Sequence, residues 1–198
     1  MPNWCECDLV VKGPADQIKA MIDQTWSQLK DSEEGALCPD FEKILPYPQM
    51  FKDQDEKSKL EQDQWNAMTP AERSSKVYSE VVSKDGYNSG GYEWCRDNWG
   101  TKWPAGDAHS YSIKNNIKDE TADGLKEVVG KNAVVKVSFN TPWCPADPIF
   151  LKLSKMFPKL KFRLAWFECG MAKQGIFEWK GGEETYCEEN EYRGNRGG

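Results

Sequence analysis

No apolar stretch in this chain approaches the roughly 20 residues that a helix needs to cross a bilayer, so a membrane-spanning helix is excluded. Histidine is almost missing: His109 is the single copy. Paired-histidine metal sites are therefore out of reach, and any Cys–His chemistry has one imidazole to draw on. The seven cysteines are an odd number, and none forms a Cys-x-x-Cys pair. That spacing supplies no zinc site and does not suit a disulfide scaffold. Cys5 and Cys7 alternate on an expected strand and read as reduced, small apolar side chains. Gly90-Gly91 and Gly181-Gly182 lack the pattern and the following helix of a phosphate-cradling loop. Met1-Pro2-Asn3 does not read as a secretory leader. The expectation is a cytoplasmic chain with no metal, no cofactor and no membrane contact.

Aromatic residues, by contrast, are plentiful, and three of the nine tryptophans fall within Trp94–Trp103. Glycine pairs and Pro104 bound this stretch, which predicts a structured loop docked on a larger core rather than a regular helix. Indole is the largest apolar side chain, and its N–H needs a partner when buried. Trp94, Trp99 and Trp103 could stack a planar ligand while Arg96, Asp97 and Lys102 orient it. The competing role for these indoles, together with Trp143, is a satellite core that closes an otherwise open sheet face.

The net charge of −6 hides a strong segregation. Residues 1–66 hold 14 acidic and 7 basic side chains, whereas residues 131–180 hold 3 acidic and 9 basic. Such asymmetry marks a charged surface aimed at a partner, or two blocks that neutralise each other in the fold. Lys152, Lys155, Lys159, Lys161 and Arg163 form a basic run with no acid between Asp147 and Glu168, and are candidates for phosphate contact. Their alternative role is a solvated helix face and strand end. The overall acidity counsels against a general nucleic-acid binder.

Taken in order, Trp4–Lys12 alternates like a strand, with Cys5, Cys7 and Leu9 on one face. Gly13-Pro14 opens a helix whose stripe is Ile18, Ile22, Trp26 and Leu29. Phe41–Leu45 reads as a second strand, stopped by Pro46-Tyr47-Pro48. Lys52–Asp63 is almost wholly polar, a solvated helix or mobile loop. Thr69-Pro70-Ala71-Glu72 is a capping box that starts a helix to about Val82. Asp119–Val129 reads as a short helix, and Val135, Val137 and Phe139 mark a strand. Thr141-Pro142-Trp143-Cys144-Pro145 is a rigid corner. Asp147 can cap the next helix, whose stripe is Ile149, Phe150, Leu153, Met156 and Phe157. Phe162, Leu164 and Trp166 lie on a strand, and Ile176–Lys180 forms another. The order strand–helix–strand, insertion, strand–helix–strand is that of an α+β, ferredoxin-like split βαβ sandwich, with both helices on one face of a mostly antiparallel sheet. The domain spans 1–182, with a tryptophan-rich insertion at about 46–130. Residues 183–198 read as an acidic tail, mobile at its end.

Four segments occur in an order that resembles a known family: Met1-Pro2-Asn3-Trp4-Cys5, Ile44-Leu45-Pro46-Tyr47-Pro48, Asn98-Trp99-Gly100-Thr101-Lys102-Trp103, and Thr141-Pro142-Trp143-Cys144-Pro145 ahead of Leu153–Pro158. Together they are similar to the YubB-like proteins of phages and conjugative plasmids, over residues 2 to about 181. The resemblance implies a mobile-element origin and a ferredoxin-like domain, and it carries over no catalytic residue. With no catalytic constellation, the expected function is a non-enzymatic accessory protein that binds and inhibits a host defence component in the bacterial cytoplasm. Its contact surface would be the acidic N-terminal half or the insertion. Two alternatives stay open: a binder of a nucleotide-like small molecule at the tryptophan stretch, and an enzyme that pairs His109 with a cysteine.

Overall fold

The structure, a computed structural model, describes residues 3–28, 37–115 and 132–192, with residues 107–115 as backbone only. Strand β1 (Trp4–Pro14) leads into helix α1 (Ala15–Thr25), and a two-residue ladder pairs β2 (Trp26–Ser27) with β3 (Cys38–Pro39). Next come α2 (Phe41–Ile44), α3 (Gln49–Ala67), α4 (Pro70–Ser74), α5 (Tyr78–Val81), a single 3-10 turn at Tyr87–Ser89 and α6 (Gly91–Trp99). The chain closes with β4 (Gly106–Asn115), β5 (Asn132–Pro142), α7 (Asp147–Met156), β6 (Lys161–Glu168), β7 (Lys173–Lys180) and β8 (Glu183–Glu191). These elements form two compact units, one of Met1–Leu45 with Asn98–Gly198, the other of Pro46–Asp97.

In the first unit six strands run in the order β4-β5-β1-β6-β7-β8, antiparallel at every step. Four of them carry the ferredoxin-like topology. β1-α1-β4 brackets β5, and β5-α7-β6 brackets β1, so each helical crossover leaves room for one strand between its own two. The β7–β8 hairpin extends the β6 edge. Register fixes the faces: Cys5, Cys7, Leu9 and Val11 stand beside Thr141, Phe139, Val137 and Val135 on one side, and beside Glu168, Trp166, Leu164 and Phe162 on the other. This face lies under the apolar stripes of α1 (Ile18, Met21, Ile22) and α7 (Ile149, Phe150, Leu153), all buried. Phe150 stacks on Trp179 at 5.8 Å and meets Phe139 at 6.1 Å, which joins β5 and β7 through one ring. The opposite face is polar and half-exposed, with Asp8, Val10, Ser138, Arg163, Ile176 and Glu178 along it.

Several expectations change here. Phe41–Leu45 is not the second strand. Asp40 accepts hydrogen bonds from the Glu42 and Lys43 N–H groups, and this cap winds the segment into α2. The second strand of the first crossover is β4, inside the stretch read as an insertion; residues 98–115 belong to the sheet unit. Glu183–Glu191, expected in a tail, is β8. Its pairing with β7 is made by the backbone, which glutamate side chains do not prevent. Gly91–Trp99, expected as loop, is helix α6. The expected helix at Asp119–Val129 lies outside the described residues. Asp147 is in the first turn of α7 rather than capping it: the cap is Ala146, with no side-chain bond.

The Pro46–Asp97 unit is a helical miniature with its own aromatic centre. Tyr47 stacks on Phe51 at 5.5 Å and meets the Trp94 edge at 5.6 Å, and Tyr87 and Tyr92 pack at 5.7 Å. Burial pushes the Tyr47 phenol up to about 12. Gly91 must be glycine, because a Cβ there would lie 1.8 Å from the Tyr47 hydroxyl. The expected capping box is present, with Thr69 and Glu72 bonding each other's backbone, but α4 ends at Ser74.

Candidate functional site

At one end of the sheet the chain makes a corner that its sequence does not make easy. Trp143 has a positive φ of 73°, a region that bulky residues seldom enter. The Cys144 N–H donates to Pro142 O at 2.9 Å, which closes a three-residue γ-turn of the rare positive-φ kind around Trp143. Every neighbour helps to hold it. The Trp143 N–H donates to Asn3 O at 3.0 Å, Thr101 Oγ1 donates to Pro142 O at 2.7 Å, and Thr141 Oγ1 donates to Cys144 O at 2.8 Å. Thr101 and Thr141 are both buried. Backbone strain of this sort costs on the order of 1–3 kcal/mol and persists only where its surroundings over-determine it.

What the corner displays is the indole. Trp143 is 43% exposed, and beside it Trp4 and Trp103 are 40% and 38% exposed. The Lys102 Nζ sits 4.2 Å from the Trp143 ring centre and 6.0 Å from that of Trp103. Trp4 and Trp103 meet edge to face at 6.5 Å. Two half-exposed indoles flank one ammonium and a third, Trp4, extends the apolar surface from Trp103, each cation–π contact adding roughly 0.5–1 kcal/mol. The chain just before this patch is anchored in the core. Trp99 is 2% exposed, packs on Phe41 at 6.1 Å, and donates its indole N–H to Leu45 O at 2.9 Å. Gly100, at φ 76°, turns sharply beside Pro148, where a Cβ would approach Pro148 Cδ to 2.6 Å. Trp99 therefore locks the segment on the helix side of the sheet, and Lys102 and Trp103 project beyond it.

The seven residues singled out in the sequence thus divide. Lys102, Trp103 and Trp143 come together, and Trp99 is their buried anchor. Trp94, Arg96 and Asp97 belong to the Pro46–Asp97 unit, where Arg96 lies over the Tyr92 ring at 5.7 Å. Trp4 was missed. Its signal was the pairing of the first strand with the one ending at Pro142: Trp4 is opposite Pro142, one residue from Trp143.

The basic run does not form one surface. Lys152 and Lys155 lie on α7, while Lys161 and Arg163 take the opposite face of the sheet, where both pair with Glu178 at 2.6 and 3.7 Å. Lys159 is exposed in the α7–β6 turn. Chemistry at two of the buried thiols is equally constrained. The Cys7 hydrogen bond and burial push the Cys5 thiol far above the ordinary range, and burial does the same for Cys38. Neither is a ready nucleophile. The side chain of His109 lies outside the described part of the structure.

Residues 117–196 match the family model described as a ferredoxin-like domain in Api92-like protein. That segment carries β5, α7 and β6 through β8, and agrees with the topology above. Among solved structures, the crystal structure of a protein api92 from Yersinia pseudotuberculosis is similar to this chain at 10% identity and a TM-score of 0.44, covering 98% of this chain and 99% of that one. No curated protein matches. Among the described residues no helix is long and apolar enough to cross a membrane.

Proposed function

We propose that the chain is a non-catalytic binding protein whose contact surface is built from Trp4, Trp103, Trp143 and Lys102, and whose partner is another protein. The observation that carries this reading is the Trp143 corner: a strained backbone, held by four hydrogen bonds, that spends its geometry on an indole left 43% exposed. Exposed tryptophans gathered around a charged group are the side chains from which interface hot spots are built. Kinship to the YubB-like proteins, a mobile-element origin, a cytoplasmic setting and a host defence component as partner form the narrower version of this proposal, and they draw on motif likeness alone. The nucleotide-binding alternative would use the same indoles, but Trp4 and Trp103 stand edge to face rather than as parallel plates around a flat ligand.

The test is affinity capture from bacterial lysate with the wild-type chain and a Trp103→Ala/Trp143→Ala double variant of equal stability. A partner held through the patch is captured by the wild type and weakened about 30-fold or more in the variant, the loss of roughly 2 kcal/mol that marks a hot spot. Equal capture by both proteins would remove the patch from consideration. A change in tryptophan fluorescence on titration with nucleotides, with no protein partner captured, would favour the small-ligand alternative.

A further inference from the structure

The sheet ends at β8, and among the described residues no strand pairs with its outer side. From Tyr186 to Glu191 the β8–β7 register is unbroken, and the irregularity falls just before it, between the partners Glu178 and Trp179. Six residues of regular strand give an edge of about 20 Å, the kind of sheet edge to which a further strand can add. All nine β8 residues are exposed, and Glu183–Glu191 contains five glutamates and no lysine or arginine. Both faces of the strand are anionic. Glu184 and Glu189 take the helix-side phase, where they add to the burial that raises the Asp147 carboxyl. Glu188 takes the opposite phase and accepts hydrogen bonds from the Tyr186 hydroxyl and from Asn190 Nδ2.

A depression of about 220 Å³ lies beside this edge on the polar face, bordered by Asp8, Phe167, Gln174, Glu188, Asn190 and Tyr192. Phe167 and Tyr192 form its aromatic wall, with ring centres 4.2 Å apart. Sites for cofactor-sized ligands run to roughly 300–1,000 Å³. This one suits a single long side chain, and its aromatic wall and two carboxylates select a cationic one.

We propose that Tyr186–Glu191 is a strand-addition site for a basic, extended segment of a partner protein, with one lysine or arginine of that segment seated between Glu188 and the Phe167–Tyr192 wall. Main-chain hydrogen bonds give such docking its affinity, and alternate side chains give it specificity. A second copy of this chain does not suit the edge, because it would bring two glutamate-rich strands with no lysine or arginine side by side, and like charges across a ladder are destabilising. Edge protection alone would also explain a charged strand. It does not call for the aromatic-walled depression next to it. The site is separate from the tryptophan patch and does not depend on it.

Amide NMR of the full chain with a short synthetic peptide alternating arginine and valine tests this. Binding should slow hydrogen exchange at alternate amides of Tyr186–Glu191. It should weaken about tenfold or more both when alternate peptide nitrogens are methylated and when Glu188 and Glu189 are replaced by lysine. The Trp103→Ala/Trp143→Ala protein should bind the peptide unchanged, so failure here and failure of the tryptophan site are told apart. No binding at low salt overturns the proposal. So does equal affinity for the methylated peptide without new exchange protection, since that is diffuse charge attraction. Unchanged binding by the Glu188→Lys/Glu189→Lys protein overturns it as well.

Discussion

Two tight turns of the same sheet solve the same geometrical problem with opposite choices of residue. Between β7 and β8 the chain reverses over Gly181 and Gly182, with φ values of 64° and 85°, while Lys180 and Glu183 stay paired. This is the two-residue hairpin in which glycine reaches positive φ without steric cost. Between β5 and α7 the chain again needs positive φ, and there it places Trp143. Where the fold requires only a turn, the sequence supplies glycine. Where it accepts strain in a bulky residue and assigns Thr101, Thr141 and Asn3 to hold it, the side chain is the purpose, and it faces outward.

That contrast can be broken experimentally. The largest stability effect is expected at the hairpin: Gly181→Val should cost about 2 kcal/mol in urea unfolding, because a β-branched residue cannot adopt the left-handed conformation cheaply. At the corner the order should reverse. Trp143→Gly and Trp143→Ala both remove the indole, yet the glycine variant should be the more stable by about 1 kcal/mol, as only it relieves the backbone. Equal stability of the two would mean that the corner is not strained. A slightly smaller loss, again of about 1 kcal/mol or less, is expected for Thr101→Val, which deletes the bond to Pro142 O and keeps the side-chain volume. Partner capture by that variant should also fall if the turn must be held to present Trp143, whereas the Gly181 variant should capture normally once folded.

The sequence made the sheet legible wherever one face is buried and the other is not. β1, β5 and β6 alternate, α1 and α7 carry apolar stripes, and the ferredoxin-like order follows from them. Elements without that contrast stayed hidden. β8 is exposed along its whole length, so no periodicity betrays it, and its existence rests on backbone pairing alone. The α2 turn reads as a strand because Phe41 and Leu45, four apart, fit either period; the Phe41–Ile44 spacing of three and the Asp40 cap are what decide for helix. Gly90-Gly91 looked like an interruption, but Gly91 serves as the point where α6 passes close to Tyr47. In the candidate site the sequence marked Lys102, Trp103 and Trp143. It did not show that Trp99 would be their anchor or that Trp4 would join them, since both facts depend on pairing between residues far apart in the chain.

The pairing of β1 has a further consequence for how the protein is made. Cys7 and Thr141, neighbours in the finished sheet, are 134 residues apart. At elongation rates of roughly 5–20 residues per second the first strand therefore waits on the order of ten seconds for the strands on either side of it. During synthesis its two thiols and the first tryptophan of the patch have no native sheet to enter. A nascent-chain holdase that shelters this segment should raise the yield of native protein more than one that acts only after release.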